Sequence, residues 1–173
     1  GAYSSYPINF GTSDFSLSCW IKTTSTVNDM AIVTDKDWDS GYNKGWVLAM
    51  NSGNIVFNIG DGLTREDLWS GAGYNDGVWH YISISVDRSD SVRLFVDGFL
   101  KSADNVSGIG DIFDNELLFM GVDVHGDYPF EGQLDELKIW NSVKTQDFFR
   151  EQRHLTAVPA NDADLVAYYQ FNR

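Results

Sequence analysis

The sequence predicts an all-β protein built as a two-sheet antiparallel sandwich with one short helix. Three observations carry that reading. Apolar and polar residues alternate with a period of two along many short runs. Turn-forming clusters separate those runs about every 8–12 residues. A single segment near the C-terminus has helical spacing instead.

The first run is Phe15, Leu17, Cys19 and Ile21, alternating with Ser16, Ser18, Trp20 and Lys22, and it reads as a half-buried strand. AIVTD (31–35), GWVLAM (45–50) and NIVFNIG (54–60) follow, with NSGN as the turn between the last two. VWHYISISVDR (78–88) and SVRLFVDG (91–98) are joined by RSDS. Val96-Asp97-Gly98 reads as a hairpin turn, because Asp and Gly tolerate positive φ. ELLFMGV (116–122), QLDELKIW (133–140) and DLVAYYQF (164–171) complete the set. The last of these is expected to close the sandwich, the alternative being that it opens a following repeat. The exception to the pattern is TQDFFREQRHL (145–155), where Phe148, Phe149, Gln152 and Leu155 share a helical face behind Thr145 as N-cap. No linker composition or internal repeat divides the chain, so residues 1–173 are read as one domain.

Charge narrows the function classes. A net charge of −13 with pI near 4.3 leaves no basic stripe for nucleic acid phosphates and none for an anionic membrane surface. No run approaches the roughly 20 apolar residues of a membrane span. Cys19 is the only cysteine, which excludes an internal disulfide, and its apolar setting suits an inert thiol. A start at Gly1-Ala2 is what a piece of a longer chain looks like, so the lack of a signal peptide carries little weight.

DFSLSCWIKT, then DGVWHYISISVDRSDSVRLFVDG, then YPFEGQLDELKIWNSVKTQDF form an ordered set. Together they resemble the laminin-G-like branch of the concanavalin A-like lectin/glucanase jelly rolls, over about residues 13–150. The resemblance implies a two-sheet antiparallel jelly-roll sandwich. It also implies an extracellular, secreted or cell-surface module attached to other domains of a parent protein, with a structural Ca²⁺ in many members. Asp135, in G-x-L-D-E, resembles the acidic residue that meets that ion. The plain alternative is that Asp135 bonds backbone amides at a turn.

Catalysis is not expected. Glycosidases of this general fold set two carboxyl groups ~5 Å or ~6.5–9.5 Å apart across the scissile bond. Asp135 and Glu136 are adjacent, and neighbours on a strand point to opposite faces; Glu66 and Asp67 fail likewise if extended. His80, His125 and His154 have no metal-cluster spacing. His80 reads as a strand residue bonded to a neighbour.

Binding is the better candidate. Saccharides have apolar C–H faces and hydroxyl edges, so their sites combine aromatic platforms with charged or amide groups. Three connections have that mixture. DKDWDSGYNKGW (35–46) offers Lys36, Asp37, Trp38, Tyr42 and Asn43; residues 60–76 offer Arg65, Asp67 and Trp69; residues 122–130 offer Asp123, His125 and Tyr128. Asp35, Asp37 and Asp39 alternate like calcium ligands but lack the glycine and terminal Glu of an EF-hand loop. Each residue has a structural alternative: Trp38 as a lid folded on the sandwich, Arg65 as a brace on Asp35 or Asp37. The expected function is a non-catalytic carbohydrate-binding module for a glycan, the alternative a protein-binding or spacer module.

Overall fold

The structure is a computed structural model, and it describes residues 1–155 and 162–171. Its strands are β1 (Ala2–Tyr3), β2 (Phe15–Lys22), β3 (Met30–Thr34), β4 (Gly45–Asn51), β5 (Asn54–Gly60), β6 (Arg65–Trp69), β7 (His80–Val86), β8 (Ser91–Val96), β9 (Phe99–Asn105), β10 (Phe119–Met120), β11 (Gln133–Trp140) and β12 (Leu165–Tyr169); the helix α1 is Gln146–Gln152. They form two six-stranded sheets, ordered β1-β10-β3-β4-β5-β6 and β12-β11-β2-β7-β8-β9, with antiparallel pairing throughout. This is the predicted jelly-roll sandwich. β12 pairs with β11, so the final expected strand does join the second sheet.

Period two decides what is buried between the sheets. Phe15, Leu17, Cys19 and Ile21 face Ile32, Leu48, Phe57 and Ile59 in one continuous core. Burial pushes the Cys19 thiol up to about 12, which keeps it protonated and unreactive. Both sheets are also apolar on their outer faces, and they cover that surface differently. On the second sheet, Tyr81, Phe95 and Trp140 are covered by Phe149 and Phe148 of α1, whose first turn is capped by Thr145 Oγ1 accepting from Phe148 N. On the first sheet, no helix among the described residues lies over Ala31, Val47, Ala49 and Val56. Two loop aromatics, Trp38 and Tyr128, pack there instead.

Some expectations change. Residues 65–69 form a strand rather than part of a loop, and Phe99–Asn105 is a strand with no counterpart in the sequence reading. β6 and β9 are edge strands; β9 is exposed along most of its length and β6 buries only Leu68, so neither shows a clean alternation. ELLFMGV shrinks to the two residues of β10, and the helix stops before Leu155.

Candidate functional site

The connection between β3 and β4 is built around a lysine. Thr34 Oγ1 accepts from Lys36 N at 3.0 Å, turning the chain inward at the end of β3. The Lys36 ammonium then donates to the carbonyl oxygens of Gly41 (3.0 Å) and Asn43 (2.8 Å) and to Asn58 Oδ1. Its side chain is fully buried, with the Trp38 ring 5.8 Å above the Nζ. Burial pulls its pKa down to about 8. This corrects the expectation of Lys36 as a ligand group: an otherwise carbonyl-lined loop needs an internal donor, and Lys36 is that donor.

Further expected ligand residues serve the same frame. Asn58 Nδ2 donates to Asp67 Oδ1, and Arg65 forms two hydrogen bonds to Asp67, at 2.9 and 2.8 Å. The Arg65 guanidinium lies 5.2 Å from the Tyr42 ring centroid and directly against the backbone of Gly41, where an added Cβ would fall 2.0 Å from it. Asn43 Nδ2 donates to Asp37 O. Arg65 is therefore a brace, as the alternative had it, with Asp67 as its partner instead of Asp35 or Asp37. Gly60, cross-strand from Arg65, lets residues 41–43 lie flat on β5; a Cβ there would meet the Gly41, Asn43 and Tyr42 carbonyl oxygens at 2.6–3.1 Å.

The remaining residues build and present a surface, and among them Asp123 corrects the expectation of a ligand contact, because it is buried and its carboxylate accepts backbone amides. Asp123, fully buried, reaches across from the 122–130 loop: its Oδ2 accepts from Trp38 N at 3.1 Å, and its Oδ1 from His125 N and Asp127 N, both at 2.9 Å. Asp39 Oδ1 accepts from the Tyr128 hydroxyl at 2.7 Å, and His125 Nδ1 lies 3.6 Å from Asp37 Oδ2. Two loops distant in sequence are so locked together above Ala31, Val47, Ala49 and Val56. Trp69 joins the same face because β6 pairs Trp69 with Val56, and directly opposed residues share a side. The Trp69 side chain is half exposed, as is Tyr42.

Among the described residues, Asp37, Asp39 and Asp123 bring one carboxylate oxygen each within 4.8 Å of one another. Asp135 sits elsewhere, at a bulge in β11 where Glu136 has φ 52°, and its Oδ1 accepts from Glu136 N and Phe171 N. Those amide contacts are the ones the structural alternative anticipated. Arg65 and Tyr42 also wall a cleft of about 530 Å³ together with Thr64, Glu66 and Asn105.

A family model described as the concanavalin A-like lectin/glucanases superfamily matches residues 2–147. The chain belongs to that superfamily. Curated relatives that this member of the superfamily matches include the non-toxic nonhemagglutinin type E of Clostridium botulinum, 26% identical over 110 residues, and the botulinum-like toxin eBoNT/J of an Enterococcus species, 22% identical over 140 residues. These matches cover 62% and 76% of this chain but only 9% and 11% of the relatives, so the chain spans about a tenth of their length. Among solved structures, a putative carbohydrate binding protein from Bacteroides ovatus superposes with TM-score 0.74 at 14% identity, covering 98% of this chain and 50% of that one. The binding domain of Paraclostridial Mosquitocidal Protein 1 gives TM-score 0.67 at 20% identity, covering 84% and 38%. At these identities the superpositions establish the fold alone. No helix among the described residues is long and apolar enough to cross a membrane.

Proposed function

We propose that this chain is a non-catalytic carbohydrate-binding module of a larger secreted or cell-surface protein, and that it holds glycan on the outer face of its first sheet. One observation carries the reading: the apolar row Ala31, Ala49 and Val56 is roofed by Trp38 and Tyr128 and ends at a half-exposed Trp69. The sugar's C–H face stacks on Trp69 and the exposed part of Trp38. Its hydroxyls meet Asp37, Asp39 and His125, which line the same platform and offer both acceptors and a donor. Two named similarities support this, the superfamily and the putative carbohydrate binding protein.

The non-catalytic part rests on the carboxylates. Asp67 is bound to Arg65 on the outer side of β6, and Glu66 belongs to the opposite side. Asp135 is buried and accepts backbone amides. Neither pair flanks a common bond. Calcium enters the proposal as a stabiliser of the acidic loop junction, for which the oxygens of Asp37, Asp39 and Asp123 are ligands of the hard type that Ca²⁺ takes.

The test is a glycan array followed by calorimetric titration of any hit against the protein, Trp69→Ala and Trp38→Ala. Loss of at least about tenfold in affinity in Trp69→Ala, with the fold intact by circular dichroism, supports the platform. Unchanged affinity in both variants removes it.

A further inference from the structure

We infer that the site takes an extended oligosaccharide rather than a single terminal sugar, laid along the edge strand β6 from Trp69 to the cleft beside Tyr42. The inference rests on the reading of the outer face as a saccharide site. It adds the form of the ligand, an internal stretch of a sugar chain, and a second contact region at its far end.

The line of the ligand follows from β6. Side chains alternate along a strand, so Arg65, Asp67 and Trp69 share one side of it. Trp69 lies opposite Val56 at one end, and Arg65 lies opposite Gly60 at the other. Four steps of extended chain separate them by roughly 13 Å. That exceeds the width of one sugar ring and approaches the length of a trisaccharide. Between the two ends, Arg65 and Asp67 are paired through Nε and Nη2, so this stretch is polar and Arg65 Nη1 takes no part in the pair. β6 also ends its sheet, and the backbone N–H and C=O groups along its free side are not taken by a neighbouring strand. Both features offer partners to hydroxyls along the way.

The far end is a preformed cavity. The cleft of about 530 Å³ is walled by Tyr42, Leu63, Arg65, Glu66, Asn105 and Ile109. Asp61 accepts from Leu63 N, Thr64 N and Thr64 Oγ1, which fixes the 61–64 turn, and from Gly110 N, which ties that turn to the loop after β9. Arg88 holds the same loop by donating to the Ile109 and Gly110 carbonyls. The Arg65 guanidinium, 5.2 Å from the Tyr42 ring centroid, steadies that ring. Walls fixed in this way cost little ordering when a ligand enters.

The lining is what the fold does not use. Leu63 is 86% exposed and Tyr42 50%, so the core draws little from either. Around them stand the Arg65 guanidinium, the Glu66 carboxylate and the Asn105 amide, whose Oδ1 is taken by Ser107 and whose Nδ2 is left to donate. The cleft thus repeats, at the other end of β6, the combination of ring and polar groups found around Trp69. Two such regions joined by a polar strip match a chain of sugars, each with a C–H face and a rim of hydroxyls. A terminal sugar would use one region only, whereas a chain held at one end meets the other intramolecularly.

The experiment titrates cello-, manno-, xylo- and chito-oligosaccharide ladders, from disaccharide to hexasaccharide, against the protein, Trp69→Ala, Tyr42→Ala and Leu63→Ser. In the ladder that binds, affinity is expected to rise about tenfold or more between the disaccharide and the longer members, then to level off. Tyr42→Ala and Leu63→Ser are expected to remove that rise and leave the disaccharide unchanged, whereas Trp69→Ala weakens every member. Leu63→Ser alters a side chain outside the core, so its effect reads the cleft and not the fold. An affinity flat across the ladder, or a rise that survives both cleft substitutions, overturns the extended ligand and leaves the Trp69 platform standing. A ladder weakened by the cleft substitutions and indifferent to Trp69→Ala overturns the platform, and the span with it. Failure of every ladder to bind overturns both.

Discussion

The side chains of Lys36 and Asn58 are hydrogen-bonded to one another beneath the 37–44 loop, and both also donate to the carbonyl oxygen of Gly41. A buried ammonium here replaces the water that a surface loop would use to satisfy its carbonyl groups. Lys36→Met keeps the volume and removes the donor to the Asn43 carbonyl and the Asn58 amide oxygen, while the Gly41 carbonyl keeps only its bond from Asn58. The expected cost is about 2–4 kcal/mol in a urea melt. Amide exchange is expected to accelerate across residues 37–44 while β2 and β7 stay protected.

The close approach of that loop to β5 makes a second, graded expectation. Gly60→Ala drives a methyl group into three backbone carbonyls that are themselves pinned, and is expected to cost about 2–3 kcal/mol. Gly41→Ala meets the end of the Arg65 side chain, which can move aside at the expense of its stack on Tyr42. It should cost about 1 kcal/mol or less. Equal losses in thermal melts of the two variants would contradict the packing described.

His80 supplies a pH dependence with a definite sign. Its Nδ1 and Nε2 lie 2.8 Å from Asp97 Oδ2 and Asp76 Oδ1, tying the β8–β9 turn to the start of β7. Burial opposes the charged ring, and the two carboxylate hydrogen bonds outweigh it, so the folded pKa stands above the ordinary 6.5. A raised folded pKa means that the contribution is fully present below about pH 6.5 and is lost as pH rises through the folded value. Asp114, pushed up to about 6 chiefly by burial, acts in a more acidic window, and Lys36 acts in a more alkaline one. The difference in unfolding free energy between the protein and His80→Gln isolates the histidine. It should shrink between neutral and mildly alkaline pH, and a difference flat across that range would refute the clamp.

Trp38 and Trp69 are expected to separate stability from binding. Trp38 covers Lys36 and the apolar patch, so Trp38→Ala is expected to lose about 2–4 kcal/mol and to weaken glycan binding. Trp69 is half exposed on an edge strand, and Trp69→Ala should lose about 1 kcal/mol or less while weakening binding comparably. Chemical melts of both variants beside calorimetric titrations check the split.

Calcium is expected to act on stability. Millimolar Ca²⁺ should raise the melting temperature by a few degrees, as a ligand that binds only the folded state does. The Asp37→Asn, Asp39→Asn double variant should lose that increment, and Asp135→Asn should keep it. The same increment lost in Asp135→Asn alone would place the ion at β11 instead.

The sequence alone determined the layers. Period-two runs such as Phe15–Ile21 and NIVFNIG place apolar side chains on one side of a strand whatever the partner, so the sandwich, most of its strands and the Thr145-capped helix were readable locally. Strands β6 and β9 escaped because β9 is exposed along almost its whole length and β6 buries only Leu68, so neither carries an apolar face to read. The loops that carry aromatics and aspartates were legible from composition, since such residues in connections demand either burial or a ligand. Their division into brace and surface was decided only by tertiary structure. Lys36 and Asp37 are neighbours in the chain, yet one is sealed inside and the other faces the platform, because the carbonyls of residues 41 and 43 fold back onto Lys36. Asp123 meets Trp38 across 85 positions of sequence, and Trp69 joins their face through its register with Val56. Register and long-range hydrogen bonding are properties of the folded arrangement of strands, and no local pattern of residues encodes them.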